Sequence, residues 1–235
     1  TGFTATNLTG ADFIYHDYGT AQDDVLNGTV YADQLEGYSG NDTLTGSEGN
    51  DVIGGGSGYD ILNGGLGSDT LTGGTEGDLF VYGSGNEGLD TITDFSDHAD
   101  LIEIPEGVTY GVSGAPNALI TLSTGTTITL LGVPAGNVTA DDFVNGHFYG
   151  DGGDDVLTGT DARELLRGLG GDDTLDGGAG NDILEGGLGD DELTGGDGAD
   201  IFSYSLPDEG LDTITDFSDG SDLIEFPTSY GTPTI

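Results

Sequence analysis

Acidic residues recur in this chain at a strict spacing of nine residues, and each is followed two positions later by a large apolar residue. The first run comprises Asp24, Asp33, Asp42, Asp51, Asp60, Asp69 and Asp78. The same frame returns at Asp155, Glu164, Asp173, Asp182, Asp191 and Asp200. A nine-residue period fits neither an α-helix nor an alternating strand, whose periods are about 3.6 and 2. A fixed short repeat instead predicts a solenoid, in which stacked repeats share one core.

Each repeat has glycines before the acidic residue and an apolar residue after it. Glycines permit a tight backbone path with positive φ, so the segment before the aspartate is predicted to be a turn. The residues that follow are just long enough for a short strand. Because each strand points only one apolar side chain inwards, a single repeat cannot bury a core, and the repeats must stack.

Two repeats would form one coil of 18 residues, with a turn at each end. Aspartates one coil apart would then lie above one another at roughly 4.8 Å, the spacing of strands in a sheet. Such a column is strongly repulsive without a cation. The chain has no Cys and only three His, so its available metal ligands are mainly oxygens, which favour a hard ion. Calcium accepts about six to eight oxygen ligands in flexible geometry. The alternative is that the aspartates only cap turns, but capping requires neither the column nor the glycines.

Two of the repeats, residues 55–63 and 177–185, read GGSGYDILN and GGAGNDILE. They match the nonapeptide GGxGxDxUx, where U is a large apolar residue, so the chain resembles the RTX (repeats-in-toxin, haemolysin-type calcium-binding) family over residues 23–82 and 150–204. The resemblance implies an all-β fold of two calcium-binding parallel β-rolls, each followed by a β-strand cap. It also implies that each calcium ion lies between successive coils on one edge, bound by sixth-position carboxylates and by carbonyls of the glycine turns.

Carried onto this chain, the resemblance implies about nine calcium ions between carboxylates one coil apart. The pairs are Asp24 with Asp42, Asp33 with Asp51, Asp42 with Asp60, Asp51 with Asp69, Asp60 with Asp78, Asp155 with Asp173, Glu164 with Asp182, Asp173 with Asp191, and Asp182 with Asp200. The turn glycines are Gly37, Gly40, Gly46, Gly49, Gly55, Gly58, Gly64, Gly67, Gly168, Gly171, Gly177, Gly180, Gly186, Gly189, Gly195 and Gly198. The turns before Asp33 and Glu164 lack the internal glycine, and Glu76 replaces it before Asp78, so we expect weaker or empty sites there.

The charge of the chain supports the same interpretation. Forty-four acidic residues against two arginines and no lysine give a formal net charge of −42. Self-repulsion of this size opposes a compact state without counter-ions. Hydrophobic residues nevertheless make up 34% of the chain and are placed in register with the repeat, a pattern that disordered acidic chains do not show. We therefore expect a chain that is largely unfolded without calcium, since the binding energy of a site absent from the unfolded state becomes folding energy.

Several classes of function are disfavoured. The negative charge argues against nucleic acid and anionic membranes as partners, and no apolar run approaches the ~18 residues of a membrane span. The absence of Cys excludes disulfides. The sequence contains neither HExxH nor a P-loop, and we predict no catalytic residue and no organic cofactor.

The segment EGLDTITDFSD occurs twice, at residues 87–97 and 209–219. In RTX proteins a DxIxDF segment follows the last coil, and the resemblance implies a cap over the open end of the core. Residues 118–133 alternate around Thr124 and Gly125 and predict a hairpin in the first cap. The acidic residues of this cap are expected in solvated turns, with further ion binding as the alternative: Asp90, Asp94, Asp97 and Asp100.

The duplication predicts the domain organisation. Residues 1–19 would be the tail of a preceding unit. Residues 20–149 would form the first β-roll, at about 23–82, with its cap at 83–149. Residues 150–235 would form the second β-roll, at about 150–204, with a truncated cap at 205–235.

These features predict a calcium-dependent structural module of a large secreted repeat protein, such as an adhesin, a surface layer or an extracellular filament. The alternative is an auxiliary module of a secreted enzyme, such as an alginate epimerase, lyase, lipase or protease, that aids folding, secretion or substrate binding. A carbohydrate-binding or ice-binding surface is a third hypothesis, based on the threonines of the predicted hairpin. The resemblance implies type I secretion and an extracellular location. Apart from calcium, the candidate partners are neighbouring copies of the chain and extracellular polysaccharide.

Overall fold

Short β-strands joined by glycine turns make up nearly all the regular structure in the computed structural model, which describes residues 14–96, 99–204, 210–218 and 220–226. The chain divides into two compact units, Thr1–Phe143 and Val144–Ile235. Residues 1–13 of the predicted tail, Asp97 of the first cap, and residues 205–209, 219 and 227–235 of the second cap lie outside the described residues.

The first unit is built from strands of two to seven residues. In chain order they are β1 (Tyr15–Tyr18), β2 (Val25–Asn27), β3 (Asp33–Ser39), β4 (Thr43–Thr45), β5 (Glu48–Gly49), β6 (Val52–Ser57), β7 (Ile61–Asn63), β8 (Leu66–Gly67), β9 (Thr70–Thr75), β10 (Leu79–Val81), β11 (Leu89–Ile92), β12 (Leu101–Glu103), β13 (Tyr110–Ser113), β14 (Ala118–Leu122) and β15 (Thr127–Leu130). Two 3-10 turns follow, Ala135–Asn137 and Ala140–Asp142, and β16 (Phe143–Val144) lies at the unit boundary.

Successive repeats alternate between two sheets, so each coil gives one strand to each sheet. One sheet has the order β1-β3-β6-β9-β11-β15-β14-β13, and the other runs β12-β10-β7-β4-β2. Strands β5 and β8 pair separately within the turns. Within the roll the pairing is parallel with partners 18 residues apart, as for Leu35 with Ile53. The predicted 18-residue coil is confirmed.

The apolar residue two positions after each aspartate points into the roll. These side chains are at most 7% exposed: Leu26, Leu35, Leu44, Ile53, Leu62, Leu71 and Phe80. Full burial of one such side chain contributes about 1.5–3 kcal/mol. Each short strand therefore contributes little by itself, and the core exists only because the coils stack.

The segment after the last coil covers the end of this core, as predicted. The rings of Phe80 and Phe95 lie 6.3 Å apart between centroids. The predicted hairpin is present as β14 and β15, which pair antiparallel, and β15 joins β11 in parallel. Its Ile120 and Ile128 side chains are fully buried. Roll and cap thus share one hydrophobic cluster.

The second unit repeats this architecture. Its strands are β17 (His147–Tyr149), β18 (Val156–Thr158), β19 (Leu165–Gly170), β20 (Thr174–Asp176), β21 (Ile183–Leu188), β22 (Glu192–Thr194), β23 (Ile201–Ser203), β24 (Thr213–Ile214) and β25 (Leu223–Glu225). They form the sheets β17-β19-β21-β23-β25 and β18-β20-β22-β24. The core residues are Leu166, Leu175, Leu184, Leu193 and Phe202. Both units are parallel β-rolls, which confirms the predicted fold class. Among the described helical segments, none has the length and apolar character needed to cross a bilayer.

The buried position of each repeat can be tested against its exposed neighbour. We expect Ile53→Ala, at a fully buried site, to lower the calcium-saturated free energy of unfolding of the first unit by about 2–5 kcal/mol, because it leaves a cavity. Val52→Ala, on the same strand but 51% exposed, should change it by no more than about 0.5 kcal/mol. Urea unfolding measures both values. Similar losses for the two variants would contradict the assigned orientation of the strand.

Candidate metal sites

The repeated acidic residues form a column along each edge of the rolls. The backbone N–H of each donates to Oδ1 of the aspartate one coil later, as from Asp42 to Asp60 at 2.8 Å and from Asp173 to Asp191 at 2.7 Å. The columns run Asp24-Asp42-Asp60-Asp78, Asp33-Asp51-Asp69, Asp155-Asp173-Asp191 and Glu164-Asp182-Asp200. Each carboxylate therefore fixes the stacking of its coil on the preceding one. We call the four columns together the aspartate ladder.

The second carboxylate oxygen, Oδ2, is unsatisfied in much of the ladder. In nine aspartates it is buried and has no hydrogen-bond partner among the described residues. They are Asp42, Asp51, Asp60, Asp69, Asp78, Asp173, Asp182, Asp191 and Asp200. A buried acceptor without a partner costs about 1–3 kcal/mol, and a charged one costs more. Nine equivalent atoms of this kind require a partner that the protein side chains do not supply.

The unsatisfied oxygen points into the gap between its own coil and the next one. A β-carbon placed on Gly55 would contact Asp60 Oδ2 and would lie 2.7 Å from the Gly73 carbonyl oxygen of the next coil. The same convergence of an unpaired Oδ2 and a carbonyl occurs at Gly37, Gly46, Gly168 and Gly177. The missing side chain of the glycine thus leaves a space lined by carboxylate and carbonyl oxygens, the donor set that calcium prefers.

All the glycines predicted at the sites line these turns. Those at the first position of the repeat lie against the carboxylate of their own turn: Gly37, Gly46, Gly55, Gly64, Gly168, Gly177, Gly186 and Gly195. Those at the fourth position lie over the backbone of the preceding coil: Gly40, Gly49, Gly58, Gly67, Gly171, Gly180, Gly189 and Gly198. At Gly58, φ is +122° and a β-carbon would collide with the Gly40 carbonyl. Both the backbone conformation and the lack of space therefore exclude a side chain.

The first coil of each roll is different, because hydrogen bonds satisfy its carboxylates. Thr29 donates to Asp33 Oδ2 from its backbone N–H (2.5 Å) and its hydroxyl (3.0 Å). The backbone N–H groups of Thr20, Asp151 and Thr160 donate likewise to the other carboxylates of these coils: Asp24, Asp155 and Glu164. Such closure is consistent with the weak sites expected at Asp33 and Glu164. At Asp24 and Asp155 it was not foreseen, and the residue at the second position of the turn does not reveal it, because Tyr38 holds this position before Asp42, whose Oδ2 is unpaired.

The turn before Asp78 does not share this closure. Glu76 takes the place of the internal glycine with a positive φ of 72°, and its carboxylate accepts from Gly58 N–H at 3.0 Å. The Oδ2 atom of Asp78 nevertheless remains unpaired. Weaker binding at this turn stays a prediction.

Side chains alone do not assemble a metal site in the part of the chain that the structure describes. There, no three His, Cys, Asp or Glu side chains lie close enough to hold an ion together. The Arg167 guanidinium is committed to Glu185, with Nε and Oε2 2.7 Å apart. A cation between the coils must therefore draw on backbone carbonyls as well as on the ladder.

Two cap residues continue the ladder, and their expected place in solvated turns was wrong. Asp90 and Asp100 are only 2% and 3% exposed. Their Oδ1 atoms accept from the N–H groups of Asp69 and Asp78, both at 3.0 Å. The spacings here are 21 and 22 residues, which conceals them from a nine-residue frame. The available signal was an isoleucine two positions after each aspartate, as in the repeats.

Burial shifts the protonation of the ladder when no cation is bound. Desolvation raises the pKa of Asp60 to about 7, with the charges of Asp42 and Glu76 adding to the shift and the hydrogen bond from Asp42 N–H opposing it. Burial, followed by the charge of Asp100, raises the pKa of Asp78 to about 8. The pKa of Asp182 rises to about 7 for the same primary reason. Protons therefore compete with cations for these carboxylates near neutral pH.

This competition predicts the pH dependence of the calcium-free chain. A carboxyl group whose pKa is raised on folding stabilises the fold fully below its unfolded pKa of about 4, and this stabilisation is lost as the pH rises through 6 to 8. In EDTA we expect more β structure at pH 5 than at pH 8 by far-UV circular dichroism. Asp78→Asn should remove part of the change between pH 7 and 8. A calcium-free chain equally or more folded at pH 8 would contradict the assignment.

Comparison with known proteins places this geometry in a family. The family model of the RTX calcium-binding nonapeptide repeat (4 copies) matches residues 18–53, 45–80, 54–89, 149–184 and 176–204. Together these segments cover more than half of the 235 residues. The comparison with curated proteins gives no match.

Solved structures that resemble the chain include two subunits of the mannuronan C5-epimerase of Azotobacter vinelandii. AlgE6R3 is 27% identical to the present chain, and the match covers 54% of the present chain and 80% of AlgE6R3 with a TM-score of 0.29. AlgE6R2 is 24% identical, covering 57% and 93% with a TM-score of 0.25. The extracellular lipase LipA of Serratia marcescens is 19% identical, covering 90% of this chain and 32% of that chain with a TM-score of 0.29.

The family match falls on both rolls, with its first part reaching residue 89 and its second part ending at residue 204. Its calcium-binding repeat is the same unit that builds the aspartate ladder and its oxygen-lined gaps. The chain therefore belongs to the RTX calcium-binding nonapeptide repeat family.

Proposed function

We propose that this chain is a calcium-dependent structural module of a secreted repeat protein, which folds when it binds extracellular calcium. The observation that carries the proposal is the set of nine buried, unpaired aspartate oxygens in equivalent positions of the two rolls. A structural role accounts for all of them together, because each lies in a gap that must close for the coils to stack.

Calcium would occupy the gaps between coils and take ligands from both sides. The sites best supported pair a ladder Oδ2 with the carbonyl of the first glycine in the next coil: Asp42 with Gly55, Asp51 with Gly64, Asp60 with Gly73, Asp173 with Gly186, and Asp182 with Gly195. Among the predicted pairs, those that begin at Asp24, Asp33, Asp155 and Glu164 start from a carboxylate that is already hydrogen-bonded. We expect these four gaps to bind weakly or not at all.

Electrostatic repulsion explains why folding of the chain would require calcium. The chain carries a formal charge of −42 and folds only by bringing the ladder carboxylates into buried columns. A divalent ion in each gap offsets two of these charges and satisfies the unpaired oxygens. The energy of binding then becomes energy of folding.

The same coupling supports an extracellular location. Extracellular calcium modules bind with dissociation constants of about 10⁻⁴ to 10⁻³ M. A chain with sites in this range stays unloaded at cytosolic calcium and folds after export. A role as a spacer or stalk within a larger secreted protein is part of the proposal, because each of the two units builds the same roll with its cap.

Calcium titration of the purified chain tests the proposal. In EDTA at pH 7.5 we expect a largely unfolded far-UV circular dichroism spectrum, and β structure with a midpoint at about 10⁻⁴ to 10⁻³ M calcium. Asp60→Asn removes a charged ligand and should raise the midpoint several-fold. Glu48→Gln, an exposed change of equal charge, should leave it unaltered. A β spectrum that does not respond to EDTA would refute calcium-dependent folding.

A second substitution tests where the ion binds. In Gly55→Ala the added methyl group occupies the gap between Asp60 Oδ2 and the Gly73 carbonyl, so it should lower calcium affinity without removing any charge. Gly152→Ala is the matched control, because nothing lies within 4 Å of its β-carbon position and its φ does not resist a side chain. Isothermal titration calorimetry of both variants gives the comparison. Equal affinities would place the ion elsewhere.

A further inference from the structure

Asparagine precedes the first glycine of the turn at two places in the first roll. These are Asn27, before Gly28, and Asn63, before Gly64. An asparagine in this setting is reactive, because glycine has no β-carbon to keep its backbone nitrogen away from the preceding side-chain amide. The repeat does not require asparagine here, since residues 45 and 72 are threonines at the same position.

The reaction open to such a pair is cyclisation of the main chain onto the side chain. The Gly64 nitrogen attacks the side-chain carbonyl carbon of Asn63, and the new N–C bond replaces the bond to the side-chain nitrogen. That nitrogen leaves as ammonia, taking the proton that Gly64 loses. Water then opens the cyclic succinimide at either carbonyl and gives aspartate or isoaspartate. The conversion thus consumes one water and releases one ammonia, and in isoaspartate the former side-chain CH2 is part of the main chain.

The folded roll holds both peptide groups away from the geometry that cyclisation needs. Strand β7 keeps Asn63 extended and paired with Thr45, and the Asn63 carbonyl accepts from Gly46 N–H at 2.9 Å. This carbonyl and the Gly64 nitrogen share one rigid peptide plane, so turning the nitrogen towards the side chain breaks the hydrogen bond. At the other pair the nitrogen itself is engaged, since Gly28 N–H donates to the Thr45 carbonyl at 2.7 Å. Cyclisation therefore requires that the strands open.

Opening at Asn63 is coupled to the charge of the aspartate ladder. Gly64 is buried, and its carbonyl oxygen lies 2.5 Å from the β-carbon position of Gly46, which also contacts the unpaired Asp51 Oδ2. The β-carbon position of Gly64 itself lies 2.5 Å from the unpaired Oδ2 of Asp69. Two ladder carboxylates thus approach the reactive pair. Without a cation, their repulsion opposes the stacking that keeps β7 extended.

We propose that Asn27 and Asn63 are sites of deamidation and isoaspartate formation that calcium protects. We further propose that conversion of Asn63 removes the gap between Asp51 and Gly64. Isoaspartate lengthens the main chain by one carbon directly before Gly64, so the Gly64 carbonyl no longer faces Asp51 while Leu62 occupies the core. A chain left without calcium then loses this site permanently. The inference rests on the proposed function, because it takes folding as calcium-dependent.

The two asparagines differ in the consequence of their conversion. Gly28 belongs to the first coil, where Thr29 already satisfies the Asp33 carboxylate by hydrogen bonds. Among the described residues, no unpaired ladder oxygen lies in a coil before Gly28. Conversion of Asn27 should therefore leave the number of calcium ions unchanged, whereas conversion of Asn63 should remove one.

Incubation of the full chain with and without calcium tests the protection. After parallel incubation at pH 8 in EDTA or in saturating calcium, peptide mapping by mass spectrometry and an enzymatic isoaspartate assay measure the conversion of each asparagine. We expect conversion of Asn27 and Asn63 to be at least about ten-fold slower with calcium, because it proceeds only from the opened chain. Asn41 and Asn50 precede aspartate and not glycine, so they should react more slowly than the two sites in EDTA.

Two outcomes of this incubation separate the inference from the proposed function. Equal rates at Asn27 and Asn63 with and without calcium, in a chain that circular dichroism shows to be folded by calcium, would overturn the protection. If calcium does not fold the chain, the proposed function fails instead. This comparison uses the unsubstituted chain, so it does not depend on the folding of any variant.

Threonine variants test the consequence at Asn63. Asn63→Thr and its matched control Asn27→Thr introduce the residue that Thr45 supplies in the coil between them, and threonine cannot cyclise. After calcium-free incubation and return to calcium, equilibrium dialysis with metal analysis should find about one ion fewer for each converted Asn63. Asn63→Thr should keep its full number of ions, and Asn27→Thr should lose as many as the unsubstituted chain. The same number of ions in Asn63→Thr and the unsubstituted chain would overturn the link to the Asp51 gap.

Discussion

Repulsion between stacked carboxylates is the constraint on which the rest of this structure depends. Two unit charges one strand spacing apart repel by about 3 kcal/mol at an effective dielectric constant near 20. The apolar side chain that each repeat buries contributes about 1.5–3 kcal/mol. One step of an ionised ladder therefore costs at least as much as one repeat gains from its core. A roll of this sequence is stable only if the negative charge of the carboxylate columns is neutralised. Either protons or divalent cations can neutralise it.

The nine-residue repeat can be understood as the shortest segment that serves both the core and the counter-ion. One residue faces the core, and the aspartate two positions earlier uses Oδ1 to hold the preceding coil, as Asp60 does with Asp42 N–H. Its Oδ2 is left for the gap, where the absent side chain of Gly55 leaves room. Where no ion is needed, the repeat changes: at Thr29 a hydroxyl and a backbone N–H take over the same oxygen.

The roll could be predicted from the sequence because the register of its strands follows directly from the length of the repeat. Residues 18 apart must stack once the coil closes, so the columns, the edges and the core positions all follow from the spacing. The cap could not be predicted in the same way. Asp90 and Asp100 return to the columns after three and four extra residues, and only the backbone path shows that the insertion is absorbed before the aspartate. Closure of Asp24 was also hidden, because it depends on the direction of the Thr20 N–H and hydroxyl groups.

Closure of the first coil by hydrogen bonds gives each roll a polarity. At Asp33 the carboxylate is satisfied within its own turn, so this coil can form without an ion. Every later gap needs ligands from two successive coils, and no ion can bind there until the second coil is in place. Ion binding and the stacking of successive coils are therefore coupled at each of these gaps. The hydrophobic core has the same requirement at its far end, where Phe80 remains covered only if the cap residue Phe95 packs beside it. Charge and core thus both depend on the docked cap, where the Ser96 N–H closes the column.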